Sequence, residues 1–265
     1  MTPHAEKVEF WNRVWEGGAD AGRVPCHSLR GELEAFVRDH QLQDSRVLEI
    51  GCGAGGLQGL SSRYVGTDIS PKCAEYLSPP AEFACCPANA LPFEDDAFDL
   101  VFSIYVLEHV TDVESVLHEI RRITKPGGLV LLKPAWFCRP WTGRDWFHKP
   151  LRDCSVRERI LKAGVCVRNR LSVRAAHLAC WRIRGLAGND RLRFRKITPN
   201  FDATDVIDAD AEVWLDPLDF IRWFRLRGDV CLSHSDFLSR WCRTSEAVVF
   251  HVKKPAQRSV EEMCQ

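Results

Sequence analysis

Four glycines, Gly51, Gly53, Gly55 and Gly56, follow a lone carboxylate, Glu49, in the stretch VLEIGCGAGG at 47–56. Removing side chains directly after an apolar strand lets backbone come close to a ligand. Gly51, Gly53 and Gly56 satisfy G-x-G-x-x-G, a spacing that also serves dinucleotides. Glu49 argues against a dinucleotide: at the strand's end it would face the ligand, repel a pyrophosphate and attract a cation. A second acid, Asp68, ends the next apolar stretch, YVGTDIS (64–70). One carboxylate can accept hydrogen bonds from both hydroxyls of a vicinal diol. Glu108-His109 comes just after FDLVFSIY (98–105), where a histidine could act as a general base near neutral pH. His148 and Asp145 are further titratable candidates.

Each of these residues also has a purely structural reading. The glycines could serve close helix–strand packing, and Glu49 could be a surface carboxylate. Asp68 could cap the following helix. His109 could pack over a ligand without moving a proton.

The elements that must position these residues alternate. Residues 5–16 and 28–40 carry apolar side chains at helical spacing. RVLEI (46–50), YVGTDIS (64–70), FDLVFSIY (98–105) and GLVLLK (128–133) read as buried strands. A helix is expected from Pro71 through Ala74, Tyr76 and Leu77, and an amphipathic one over 113–124, stopped by Lys125-Pro126-Gly127-Gly128. Such alternation predicts an α/β fold with a doubly wound, mostly parallel sheet. Ligands on such sheets bind beyond the carboxyl ends of the strands.

With those residues in place, EIGCGAG (49–55) resembles the first motif of class I S-adenosylmethionine-dependent methyltransferases, which share a Rossmann-like fold. ANALPFEDDAFDLVFSIYVLEHV (88–110) and EIRRITKPGGLVLL (119–132) resemble the motifs that follow. The resemblance implies S-adenosyl-L-methionine as cofactor and S-adenosyl-L-homocysteine as product. It assigns the glycine turn, with Cys52 a spectator acting through its backbone, and gives Asp68 the ribose hydroxyls with Ile69 beside it. Ser103, Ile104 and Tyr105 would lie near the methionine portion. Pro87 stands where many relatives carry an acid that meets the adenine amino group, so adenine recognition falls to Ala88, Asn89 and Ala90. No metal is expected.

Alternation stops at Pro134 and resumes with DPLDFIRWFRLRG (216–228), DVCLSH (229–234) and EAVVFHVKK (246–254), the last two read as paired antiparallel strands. The chain is therefore divided into a cofactor-binding part (1–133), an insertion serving as lid or substrate subdomain (134–212) and a completing part (213–265). Residues 134–196 hold sixteen Lys and Arg against four acids, a surplus of twelve positive charges; residues 197–219 hold seven acids and no Lys or Arg. The two halves could neutralise each other, or the arginines could face an anionic or sugar-containing acceptor. A membrane-surface role is a third reading of the aromatic and basic mixture in 135–150. Trp136, Trp141 and Trp146, with Trp11 on the first helix, are candidates to stack on the acceptor. DADAEVWLDPLDFIRWFRLRG resembles, distantly, methyltransferases of polysaccharide and secondary-metabolite pathways.

The formal net charge is zero, which gives no argument for nucleic acid. The twelve cysteines include no C-x-x-C pair, no signal-like segment opens the chain, and no apolar run could span a bilayer. Free thiols in the cytoplasm are expected. The function read from all this is O-methylation of a small molecule in a biosynthetic pathway. Methylation of RNA or protein, and a non-catalytic cofactor-binding relative, are the alternatives; a nicotinamide dehydrogenase is opposed by Glu49.

Overall fold

A computed structural model of the chain describes residues 3–16, 26–79, 81–139, 141, 144–168, 195–202, 208–236 and 246–254, with isolated positions between 173 and 183. Its centre is a seven-stranded sheet. Strands β1 (Arg46–Ile50), β2 (Arg63–Asp68), β3 (Glu82–Cys85), β4 (Phe98–Ile104) and β5 (Thr124–Lys133) run parallel. After the two-stranded ribbon of β6 (Arg195–Lys196) and β7 (Val213–Trp214), β8 (Val230–Cys231) and β9 (Val248–His251) close the far edge antiparallel. The spatial order is β3-β2-β1-β4-β5-β9-β8. Strand order therefore reverses between β1 and β4, and a crevice opens beyond their carboxyl ends.

Both faces of the sheet are covered, which is why its strands read as continuous apolar runs. Alternate residues go to opposite faces. Leu48, Ile50, Val101, Val130 and Leu132 pack on one side with helices α3 (Val113–Ile123) and α6 (Pro217–Leu226). Val47, Leu100, Phe102, Leu129 and Leu131 pack on the other with Leu29, Leu33 and Val37 of α2 (Cys26–Asp39). On α3 the buried residues Val113, Val116, Leu117, Ile120 and Ile123 form one helical stripe, and Asp112 caps its start by accepting from Ser115 N. Helix α1 (Pro3–Glu16) lies over the crevice, tied down by Ser70 Oγ to Asn12 and Tyr76 Oη to the Trp15 carbonyl.

The expected helix after Ser70 is only one 3₁₀ turn, Pro71–Glu75, and β3 was not anticipated. Pro79 explains the first difference, because the residue before a proline disfavours the helical conformation. β3 is four residues long and half-exposed at the sheet's edge, too short to show periodicity. In the segment from Pro134, the described elements include the short α4 (Asp145–His148), a 3₁₀ turn (Leu151–Asp153), α5 (Val156–Arg168) and the two-stranded ribbon. Ala209, Ala211, Val213 and Leu215 return as a buried strap, and Val213 and Leu215 join the core on the α3 side of the sheet. No helix among the described residues is long and apolar enough to cross a membrane.

Candidate cofactor and acceptor site

Beyond β1, β2 and β4 lies a cavity of about 430 Å³. Its floor begins where β1 ends: the amides of Gly51 and Cys52 both donate to the Thr67 carbonyl, at 2.7 and 2.9 Å, turning the chain sharply. Gly51 and Gly53 have φ of +76° and +49°, and both line the cavity. A Cβ on Gly51 would stand 2.2 Å from Val106 Cγ2, and one on Gly53 2.7 Å from the Trp15 ring. The glycines are therefore needed for clearance as well as for conformation.

Asp68 ends β2 at the cavity wall. Its Oδ2 accepts from Gly53 N at 3.1 Å and its Oδ1 from Ser70 N at 3.0 Å, with the Cys73 thiol and the Ile69 amide also against the carboxylate. Burial raises its pKa above the usual carboxylate value, against the pull of those amides. Ile69, Cys86, Pro87, Ala88 and Asn89 line the same side. Ile104 and Tyr105 line the wall formed by the end of β4, where Tyr105 takes a left-handed φ of +56°. A bulky residue held there signals a chain path imposed by its surroundings.

Glu49 requires a correction. It does not line the cavity but lies buried beneath it, accepting from the Tyr64 hydroxyl at 2.5 Å. Burial pushes its pKa up to about 8, with Asp68 adding to the rise and the Tyr64 bond opposing it. It is therefore largely protonated near neutrality, and its anionic repulsion of diphosphates is correspondingly weak. Three other cofactor candidates also stand outside the cavity lining. Ser103 Oγ donates to the Ile50 carbonyl, Ala90 N donates to Pro87 O, and a Cβ on Gly55 would meet Leu77.

Lys7, Trp11 and Trp15 repeat every four residues along α1 and form one stripe over the cavity, with His4 at its start. The indole Nε1 of Trp15 is buried and without a hydrogen-bond partner among the described residues. Val106, Val110, Thr111 and Asp112 also line the cavity and were missed in the sequence. The four-residue spacing on α1 was legible. The loop after β4 carried no such signal.

His109 lines the cavity, edge-on to Trp11 at 5.4 Å between centroids. Its Nδ1 lies 3.0 Å from Asp210 Oδ2, an ion pair without hydrogen-bond alignment. Burial lowers its pKa, but Asp210, Glu108 and Asp208 outweigh this and raise it to about 9. As placed, the ring is held toward its charged form at neutral pH, which opposes the general-base role expected for it. Glu108 is fully buried behind it; Oε1 accepts from Ala135 N at 2.9 Å, and burial raises the carboxyl to about 7.

The remaining candidates are elsewhere. His148 is exposed and packs edge-on against Phe147. Asp145 begins α4, and its side chain lies outside the described residues. Trp136 packs edge-on against Phe220 and donates to the Glu246 carbonyl, and Trp146 packs against Phe147. Neither these nor Trp141 line the cavity, and Trp136 packs instead on the core beside α6. Asp210 pairs with His109, and Glu212 with Lys7.

Residues 48–132 match a family model described as a methyltransferase domain. They belong to the class I S-adenosylmethionine-dependent methyltransferases. Sterol 4-C-methyltransferase strm-1 of Caenorhabditis elegans is 32% identical over 116 residues, covering 39% of this chain and 33% of that protein. A ubiquinone biosynthesis O-methyltransferase of Rhizobium rhizogenes is 31% identical over 130 residues, covering 40% of this chain and 52% of its own. Phthiotriol/phenolphthiotriol dimycocerosates methyltransferase 1 of Mycobacterium ulcerans is 31% identical over 174 residues, covering 58% and 64% respectively. The chain thus spans from one third to just under two thirds of these curated relatives. Among solved structures, the amino pentose methyltransferase CalS10 of Micromonospora echinaspora is 18% identical over 42% of this chain and 52% of its own, with a TM-score of 0.38. The assignment of this methyltransferase domain rests on the sequence match and on the sheet order, not on that partial overlap.

Proposed function

We propose that this chain transfers the methyl group of S-adenosylmethionine to a hydroxyl oxygen of a small-molecule acceptor in a biosynthetic pathway. The observation that carries the reading is a side-chain-free turn facing a half-buried carboxylate, Asp68, inside one cavity at the topological switch of the sheet. Those residues fit the cofactor. Asp68 would accept from a ribose diol, Gly51 and Gly53 would leave room for its neighbouring groups, and Ile69, Pro87, Ala88 and Asn89 would flank a planar base. The bound sulfonium supplies a methyl carbon already activated toward an oxygen nucleophile. What remains for the protein is mostly positioning.

Trp11, Tyr105, His109 and Thr111 form the wall on which an acceptor would rest. His109 presents its ring to that wall, edge-on to Trp11. Relatives named for sterol, ubiquinone-pathway and dimycocerosate methylation favour a small-molecule acceptor over RNA or protein. We read residues 134–212 as a subdomain that braces this wall from behind through Asp208, Asp210 and Glu212.

Calorimetric titration with S-adenosylhomocysteine tests the reading. Binding is expected in the wild type and should weaken roughly 10- to 100-fold in Asp68→Ala, the loss of one or two hydrogen bonds to a charged group. Absence of heat with both the methyl donor and its product would end the proposal.

A further inference from the structure

We infer that Glu108, His109 and Asp208 form a binding site for a divalent first-row transition cation at the acceptor wall of the cavity, with Asp210 orienting the His109 ring. One ligand atom from each of the three lies within 4.8 Å of the others. Bonds of roughly 2.0–2.2 Å to a common ion place ligand atoms about 3–4 Å apart, so small side-chain shifts complete the set.

A second observation points to a ligand independently of that clustering. Glu108 is fully buried, and while Oε1 accepts from Ala135 N, its Oε2 has no hydrogen-bond partner among the described residues. A buried carboxylate oxygen without a donor is costly, and a cation beside it removes the cost. The histidine is also arranged as a ligand would be. Asp210 Oδ2 sits 3.0 Å from Nδ1, which leaves Nε2 on the side of Glu108 Oε1, 3.8 Å away. Metal-binding histidines commonly carry a carboxylate on the other ring nitrogen in this way.

The surroundings are rich in acids. Three carboxylates, from Glu108, Asp208 and Asp210, meet one imidazole. The nearby Lys7 ammonium is engaged by Glu212 at 2.5 Å and by the His109 carbonyl at 2.7 Å. The Cys138 thiol borders the cluster, donating toward the Ala135 carbonyl at 3.1 Å and Asp208 Oδ2 at 3.9 Å. Backbone contacts fix the two halves of the site: Glu212 N donates to Glu108 O at 2.9 Å, and Asn200 N to Ala209 O at 2.7 Å. One imidazole with two carboxylates suits Mn²⁺, Fe²⁺ or Zn²⁺ better than Mg²⁺, which keeps its waters. Because His109 lines the cavity, such an ion could hold and polarise an acceptor oxygen. That last role rests on the methyl-transfer reading; the ion site itself does not.

The test uses the full chain, freed of metal with a chelator and titrated with MnCl₂ by electron paramagnetic resonance and calorimetry. Manganese is chosen because twelve cysteines would take zinc adventitiously. One Mn²⁺ per chain is expected. Affinity should fall at least roughly tenfold in Glu108→Gln and in Asp208→Asn, and about 10- to 100-fold in Asp210→Asn. His148→Ala should bind as the wild type does. Circular dichroism and S-adenosylhomocysteine binding on each variant establish that it is folded. No stoichiometric Mn²⁺ in the wild type, or unchanged affinity in both folded ligand variants, overturns the inference. Mn²⁺ binding without cofactor binding would sink only the methyl-transfer reading, and the converse only the ion site.

Discussion

At Gly51 two requirements coincide: a φ of +76°, and the 2.2 Å gap that a Cβ would leave to Val106 Cγ2. Valine is stiff at χ1 and cannot swing away cheaply. Gly51→Ala is therefore expected to cost at least about 1–2 kcal/mol from the backbone alone and to push Val106 into the cavity. Differential scanning calorimetry should show a melting point lower by roughly 2–8 °C, with weaker cofactor binding alongside. Gly31, inside α2 with nothing within 4 Å of its would-be Cβ, is the matched control. Gly31→Ala should stabilise by about 0.5–1 kcal/mol, and a loss there equal to that at Gly51 would refute the clearance argument. The glycine pattern was legible because it is a statement about missing side chains. Glu49 was not, because a strand-end carboxylate takes its direction from the neighbouring strand. Tyr64, on β2, captures it beneath the floor of the cavity, and nothing in 47–56 announces that partner.

At the scale of elements, an ion pair with a buried carboxylate ties α3 to the chain that returns after residue 212. Arg121 on α3 donates from Nε to Asp229 Oδ2 at 2.8 Å and reaches the Arg227 and Lys253 carbonyls, while Asp229 Oδ1 accepts from Lys253 N. The Asp229 side chain is wholly buried. Arg121→Ala leaves that charge without its cation and should cost about 3–5 kcal/mol, lowering the melting point by roughly 10 °C. The double variant Arg121→Met with Asp229→Asn should recover much of the loss, since the uncompensated charge is then gone. A double-mutant cycle in urea measures the coupling, and additive losses would show that the pair does not join α3 to the final strands. Helices α3 and α6 and the β8–β9 pair were readable from periodicity and breakers in the sequence. Neither β3 nor the buried strap at 209–215 was, because each is short and takes its conformation from the sheet or core that it joins. The destination of Trp136, Trp141 and Trp146 was hidden for a related reason: aromatic residues after a strand fit a lid and a core equally well, and only the path of the chain decides between them.

For the molecule as a whole, the sheet's strand order concentrates the chemistry in one crevice, and burial raises the pKa values of carboxyls around it, Glu49 and Asp68 as well as Glu108. Glu49 keeps its proton up to about pH 8 when folded, whereas an unfolded chain releases it near 4.5. The sign follows directly. Glu49 favours the fold fully below about pH 4.5, and that contribution is lost as pH rises from there through 8. The slope reaches about 1.4 kcal/mol per pH unit in that window. Urea unfolding of the unliganded protein at pH 5 and pH 8 should show this loss, and Glu49→Gln should reduce it. A cationic ligand in the cavity works in the opposite direction. Glu49 acts electrostatically on Cys52, which lines the cavity, so a positive charge there favours the ionised carboxylate. Binding of the methyl donor near pH 7 should then release protons. Titrations in buffers of different ionisation enthalpy measure the number, and S-adenosylhomocysteine, lacking the sulfonium charge, should release fewer than S-adenosylmethionine. Equal release for the two ligands, or equal release in wild type and Glu49→Gln, would mean that the buried carboxyl does not sense the methyl donor's charge, and that Glu49 serves β1 and β2 through Tyr64 alone.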